Sequence, residues 1–407
     1  MRTPADGVLA ALQSLLRSAH LSRADDLPAM ITEAGDQVGA SRSVIYVIDY
    51  DQLELVPLTD DSTESSVLPL TVDGTLAGRA FRDLVLHTGG PDPGVTLWVP
   101  IVDGTNRLGV LELTFGPDDE VEADEALLTV GRDLAALVAE LLLARALYGD
   151  AVERARRRRP MTIPAELQWQ LLPPLTFVSP QVAVTGVLAP TTDVAGDSFD
   201  YAVNGDVAHV AIVDAMGHGL EATLLSTVAI GALRNARHGG ESLVDTVRII
   251  EASIATHFGP DKFVTAIVGE LDTRSGMWTW VSCGHPPALV LRSGRVVKTL
   301  DATVGMPLGL GLLARDPEIA TERLEPGDRL LLYTDGVVEA RDADGEFFGT
   351  ERLVEFVIRE AAAGRPAAET MRRVNLAILE HQEGALQDDA TTVMVEWLTD
   401  EAARSTP

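Results

Sequence analysis

Val213-Asp-Ala-Met-Gly-His-Gly219 closes the apolar run His209-Val-Ala-Ile-Val213 with an aspartate and a histidine set between glycines. The run has the length of a buried strand. The glycines allow a tight turn, and a helix is expected from Gly219 to Arg234. Strand, acidic turn and helix therefore follow one another, with Asp214 at the strand end. Three other places repeat the theme. Val194-Ala-Gly-Asp197 puts an aspartate after glycine, and Tyr333-Thr-Asp-Gly336 follows Arg329-Leu-Leu-Leu332. Asp388-Asp-Ala-Thr391 precedes the apolar run Thr392-Val-Met-Val-Glu-Trp397. Any one of these aspartates reads as a turn former or a helix cap. Together, Asp197, Asp214, Asp335 and Asp388 make four carboxylates at strand edges, which is costly unless a cation neutralises them. Oxygen donors of this kind suit Mg²⁺ or Mn²⁺. The expected centre is binuclear, with two ions about 3.5–4 Å apart activating a water, and no serine or cysteine nucleophile is called for.

Bulk properties set the frame. The chain has 407 residues, 46% hydrophobic and 23% charged, which predicts an ordinary globular protein of two domains and a connector. A net charge of −29 argues against general binding to nucleic acid or to an anionic membrane. Cys283 is the single cysteine, so no internal disulfide is available and no cysteine-histidine cluster has zinc spacing. With no apolar leader and no span-length apolar run, a cytoplasmic protein is expected.

The first third predicts an α+β domain. Helices are expected over 8–19 and 26–39, strands at Ser43–Ile48, Leu53–Val56, Val95–Ile101 and Leu108–Phe115, and a hairpin turn at Asp103-Gly104. Asp60–Ser66 reads as a polar loop. Over 127–148, Leu127, Val130, Leu134, Leu137, Leu141, Ala144 and Tyr148 keep a 3-4-3-4-3-4 spacing. That helix is expected to pack on its own domain and on a partner copy, the alternative being packing in its own domain alone. The run Arg154-Ala-Arg-Arg-Arg-Arg159 reads as a solvated linker before Pro160, and Thr162 as the cap of a short helix with Pro164 in its first turn. This region resembles a GAF domain, through the order of its elements and through Leu76-Ala-Gly-Arg-Ala-Phe81 and Leu108-Gly-Val-Leu-Glu-Leu113. The resemblance implies a ligand-binding, dimerising sensor. The Asn-Lys-Phe-Asp-Glu string of cyclic-nucleotide binders is absent, and His20 and His87 are available to a haem but read more simply as ordinary surface or core residues.

From about 175 the pattern becomes strand-rich. Helices are expected at 219–234, 242–257, 351–361 and 366–381. Two packed antiparallel sheets with helices outside follow from that order. Residues 175–398 resemble the SpoIIE-type branch of the metal-dependent protein phosphatase 2C family. The matching motifs are Val194-Ala-Gly-Asp-Ser-Phe-Asp200, Val213–Gly219, Cys283-Gly-His-Pro-Pro287, Gly305-Met-Pro-Leu-Gly309, Glu325–Gly336 and Asp388–Thr391. The resemblance implies an αββα sandwich that hydrolyses phosphoserine or phosphothreonine with two Mn²⁺ or Mg²⁺ ions. On that basis Asp214 bridges both ions, the carbonyl of Ala215 binds one, Asp335 and Asp388 hold the other, and Asp197 acts through water or at the edge. The implied substrate is a phosphorylated STAS-type anti-sigma-factor antagonist, and the GAF-like resemblance with the heptad seam leads to an expected homodimer. Two departures stand out: Ala195 replaces the first glycine of the usual Gly-Gly-Asp, and Ala215-Met216 replaces a more usual Val/Ile-Ser.

The expected organisation is therefore a GAF-like sensor at 1–145, a helical and basic linker at 146–174, the phosphatase domain at 175–398 and a tail at 399–407. His218 and His285 read as turn-pinning residues with a proton-donor role as the alternative. Arg234 and Arg274 are candidates to bind phosphate, Asp193 and Asp200 to cap or to support the site through hydrogen bonds, and Cys283 to fill the core. Two rival functions remain: a pseudophosphatase that only binds its phosphoprotein, and a two-metal nuclease, which the acidity of the chain disfavours.

Overall fold

The chain folds as two compact units that divide between residues 160 and 161. The computed structural model describes residues 4–59, 67–90, 94–116, 124–189, 196–301, 305–311, 317–363, 365–382 and 388–398. The polar loop expected at Asp60–Ser66, together with Asp193, Ala195 and the tail at 399–407, lies outside the described residues.

The first unit begins with α1 (Pro4–Ala19), α2 (Leu27–Gln37), β1 (Arg42–Ile48), β2 (Glu54–Pro57) and β3 (Leu70–Thr71). It continues with α3 (Leu76–Asp83), β4 (His87–Gly89), β5 (Val95–Asp103), β6 (Asn106–Phe115), α4 (Glu125–Ala146) and α5 (Ala151–Arg156). Its strands form one antiparallel sheet in the order β3-β2-β1-β6-β5-β4. Alternation along β1 and β6 gives the sheet two apolar faces. Ile45, Val47, Leu111, Leu113 and Phe115 meet α1, α2, α4 and α5, while Tyr46, Ile48 and Val110 meet Ala77, Ala80 and Phe81 of α3. Asp124 caps α4 by accepting from the Leu127 amide at 2.9 Å. Most of the heptad seam on α4 faces inward: Val130, Leu134 and Leu141 are buried in this unit's own core. Leu147 and Tyr148, just beyond α4, are 78% and 81% exposed.

The stretch 146–174 is shared between the units. α5 contributes Ala151 and Val152 to the first core, and α6 (Ile163–Leu171) packs on the long helix of the second unit. Thr162 accepts from the Ala165 amide, Pro164 sits in the first turn, and Pro173-Pro174 follow the end of the helix.

The second unit continues with β7 (Thr176–Val178), β8 (Val182–Ala189), β9 (Ser198–Asn204), β10 (Val207–Ala215), α7 (Leu220–Gly239) and α8 (Leu243–His257). Then come β11 (Val264–Asp272), β12 (Met277–Cys283), β13 (Leu289–Arg292), β14 (Arg295–Thr299), β15 (Ala320–Arg323) and β16 (Arg329–Tyr333). The short α9 (Asp335–Val338), α10 (Gly349–Ala362), α11 (Ala367–His381) and β17 (Ala390–Trp397) complete it. Two antiparallel sheets result, ordered β15-β12-β11-β10-β9 and β14-β13-β16-β17-β8-β7.

Three apolar layers hold this unit together. Val182, Val184, Leu330, Leu332, Val393 and Val395 of one sheet meet Phe199, Val210, Ile212, Trp278 and Trp280 of the other. Gly186 of β8 leaves room for the ring of Phe199, since a Cβ there would stand 2.2 Å from Phe199 Cζ. Outside, α7 and α8 cover one sheet and α10 and α11 the other. The expected αββα sandwich is therefore what these residues build.

Candidate metal centre

β10 runs antiparallel to β9 with Val213 opposite Ser198, which brings Asp214 and Asp197 to the same end of one sheet. β16 runs antiparallel to β17 with Tyr333 opposite Thr392. That register puts Asp335, directly after β16, beside Asp388 and Asp389, directly before β17. The four predicted carboxylates thus gather at one end of the sandwich, two from each sheet.

At that end the carboxylates act on one another. Asp197 is fully enclosed, and loss of solvent, followed by the charges of Asp214 and Asp389, holds its carboxyl well above the usual range. Hydrogen bonds from Thr334 and Thr391 act in the opposite direction. Asp214 is pushed to about 7, first by burial and then by Asp335, Asp388 and Asp389. Asp388 is raised by desolvation, partly offset by the Asp389 amide, with Asp389 and Asp335 raising it further and His218 lowering it. Like charges at this range disfavour simultaneous ionisation unless a cation joins them.

Backbone geometry sets the approach distances. The Ala215 amide donates to the Gly196 carbonyl at 3.3 Å, and the Met216 amide to the Phe263 carbonyl at 3.1 Å. A Cβ on Gly196 would lie 2.9 Å from the Ala215 carbonyl oxygen, so the chain needs glycine immediately before Asp197. Gly336 has a stricter need: a Cβ there would meet the Asp389 carbonyl oxygen at 1.9 Å.

Three groups missed in the sequence build the frame. Asp389 is buried, and its Oδ2 accepts from the amides of Gly196 and Asp197 at 2.6 and 3.2 Å. Thr334 donates from Oγ1 to Asp197 Oδ2 at 2.6 Å and accepts from the Thr391 amide at 3.0 Å. Gln168 of α6 reaches Asp197 and Asp389 at 2.9 Å each. The Asp388-Asp389 doublet, with Thr334 beside Asp335 and Thr391 two residues after Asp389, was a visible signal. Gln168, 29 residues before Asp197, carried none.

Of the other candidates, His218 lies near enough to Asp388 to act on its carboxyl, and the rest pair elsewhere. Arg234 donates to Asp200 and to the Leu171 carbonyl, and Arg237 also binds Asp200, so Asp200 ties α7 to β9. Arg274 is exposed and pairs with Asp206 at 3.5 Å. His285 is buried, shares a hydrogen bond with Thr265 Oγ1 at 2.8 Å, and is lowered by burial to about 3, so it stays neutral and pins its turn. His218 is exposed. Cys283 is buried, and burial followed by the Glu251 charge pushes its thiol to about 12. Glu251 accepts from the amides of Gly309 and Gly311, which anchors the Gly305–Gly309 motif to α8. His20 is exposed, and His87 pairs with Asp83 at 3.7 Å.

The donor set fits hard divalent ions. Among the described residues no three histidine, cysteine, aspartate or glutamate side chains converge as a ready-made cage. Mg²⁺ characteristically takes one or two carboxylates and keeps several waters. Carboxylates spread across the ends of two sheets, with Asp197, Asp214 and Asp388 raised first by burial and then by neighbouring charge, match that demand better than they match a closed zinc site.

Comparison with known proteins agrees with this reading. Residues 204–398 match the family model described as Stage II sporulation protein E (SpoIIE). Protein IcfG of Synechocystis sp. is 25% identical over 265 residues, covering 58% of this chain and 39% of IcfG. Phosphoserine phosphatase RsbU of Bacillus subtilis is 23% identical over 238 residues, covering 57% of this chain and 68% of RsbU. Phosphoserine phosphatase RsbP of the same organism is 26% identical over 230 residues, covering 54% of this chain and 53% of RsbP. The matches thus span about two fifths to two thirds of these relatives. Among the described residues no helix is long and apolar enough to cross a membrane. Residues 204–398, within the C-terminal αββα unit, are thus similar to the SpoIIE family model, and the chain is similar over the aligned stretches to RsbU and RsbP.

Proposed function

We propose that this protein is a metal-dependent serine/threonine phosphatase. The observation that carries the proposal is the mutual charge of Asp197, Asp214, Asp335, Asp388 and Asp389 at one end of the sandwich. Asp214, the Ala215 carbonyl, Asp335 and Asp388 would hold two Mn²⁺ or Mg²⁺ ions, with Asp197 at the edge. Bound there, such ions lower the pKa of a shared water and polarise the phosphoryl oxygen opposite it. The protein's part is to aim the carboxylates, whose ionisation burial and mutual charge oppose unless a cation joins them. Asp197 is steered by Thr334, and the segment before β17 by the pairing of Thr391 with Thr334. His285 is neutral and buried, so it is no proton source.

The similarity to RsbU and RsbP supports a phosphoserine substrate, and the SpoIIE-type match supports a STAS-type anti-sigma-factor antagonist as the phosphoprotein. The N-terminal unit serves as a GAF-like sensor in this reading. Its six-stranded sheet is covered by α3 on one face, where a small ligand or a protein would act. The exposed Leu147 and Tyr148 beyond α4 support a homodimer contact at that end.

Hydrolysis of p-nitrophenyl phosphate and of a phosphoserine peptide tests the activity, with Mn²⁺, for wild type, Asp214→Ala and Asp388→Ala. Metal-dependent turnover lost in both variants is expected. A wild type without turnover on either substrate would refute the enzyme and favour a phosphoprotein-binding role.

A further inference from the structure

Gln168 precedes the segment that matches the family model, yet it is buried and both of its side-chain hydrogen bonds end at the acidic cluster. Its Nε2 donates to the Asp197 carbonyl and to Asp389 Oδ2, each at 2.9 Å. Asp389 Oδ2 in turn accepts from the amides of Gly196 and Asp197. Asp197 is therefore gripped at three points: its amide by Asp389, its carbonyl by Gln168 and its carboxylate by Thr334. Gln168 lies on α6, and the hydrogen bond from Arg234 to the Leu171 carbonyl fastens the far end of that helix to α7.

We propose that Gln168 is a positioning residue for the metal centre, holding Asp197 and Asp389 in register so that the carboxylates can share divalent ions. A primary amide meets this need because its two N–H groups serve two acceptors at once. Leucine of similar size supplies neither. Glutamate puts an oxygen against a carbonyl and a carboxylate. Partners that orient metal ligands in this way typically change metal affinity by about 10–100-fold when removed. The proposal rests on the metal-dependent phosphatase reading above.

The test titrates Mn²⁺ alone into the full chain and reads free Mn²⁺ by electron paramagnetic resonance. Wild type, Gln168→Leu and Gln168→Glu are compared, each with its thermal unfolding midpoint after chelation. The expected result is a Mn²⁺ dissociation constant raised at least about tenfold in both variants, while turnover at saturating Mn²⁺ stays within about threefold of wild type. A residue that only packs would lower the unfolding midpoint and leave Mn²⁺ affinity unchanged. Unchanged affinity in folded protein therefore overturns the proposal. Gln168→Glu keeps the size of the side chain, so the comparison stands if the leucine variant does not fold. A wild type that binds no Mn²⁺ overturns the two-metal reading and the proposal with it, a result distinct from equal affinities.

Discussion

Replacing Gly336 by alanine inserts one methyl group where two backbones already touch. The added Cβ would lie 1.9 Å from the Asp389 carbonyl oxygen, and real Cβ atoms essentially never come within 3.0 Å of such a neighbour. Either the turn after β16 or the segment before β17 must retreat by about 1.1 Å, the difference between those two distances. The obstacle is backbone, so no rotamer change relieves it. Overpacking of this kind typically destabilises by about 1–3 kcal/mol, and the rigid neighbour places Gly336→Ala near the upper figure. For a unit of this size each kcal/mol moves the midpoint by about 2–4 °C, so a drop of about 6–12 °C is expected. Asp335 and Asp388 flank the contact, and a 1 Å misplacement of reacting groups can lower turnover about 100-fold. Calorimetry gives the first number and Mn²⁺-dependent p-nitrophenyl phosphate hydrolysis the second. A midpoint within about 2 °C of wild type, with unchanged turnover, would refute the argument.

Asp214 makes the metal-free protein sensitive to pH. Its folded pKa of about 7 lies above the ordinary 3.8, so the folded state binds more protons between those values and loses stability as pH rises through about 7. Asp214→Asn should therefore be more stable than wild type at pH 8 and equal to it near pH 4, as read by urea unfolding with chelator. Cys283 should resist a thiol reagent in the folded protein at pH 8 and react once urea unfolds it, because its thiol is buried and raised to about 12. Fast labelling of the native protein would contradict its place in the core. Asp200 is buried between Arg234 and Arg237, each at 2.7 Å, so Asp200→Ala should destabilise the protein by about 3–5 kcal/mol. Equilibrium unfolding midpoints that match wild type would count against that buried pairing.

The sandwich was legible because its elements obey simple periods. The run His209–Val213 and the helical faces of α7 and α8 announce a strand and two covering helices, and the structure keeps them close to the expected limits. α7 runs on to Gly239, five residues past Arg234, because Ala236 is buried and Gly240 in a left-handed conformation ends it. β8 was harder to see. Every one of its residues from Val182 to Ala189 is buried, so no polar alternation marks it. The seam on α4 shows the opposite problem. Its heptad spacing is real, but Val130, Leu134 and Leu141 are consumed by the unit's own sheet and helices, so spacing alone did not identify the partner surface. At the site, the carboxylates were readable because each stands beside glycine or a strand end. Gln168 was not, since its role comes from a tertiary contact across 221 residues to Asp389.

The gathering of these carboxylates from two sheets has a mechanical consequence. Asp197 and Asp214 ride on one sheet, Asp335, Asp388 and Asp389 on the other, and the layer of Phe199, Trp278 and Leu332 lies between. The acidic end therefore works like a caliper whose jaws are the two sheets and whose opening is set by that layer. Thinning or thickening it changes the gap between the jaws without touching a ligand. By the same geometry, a cation gripped across the jaws resists any slip of one sheet over the other, and its binding free energy adds to the stability of the whole sandwich.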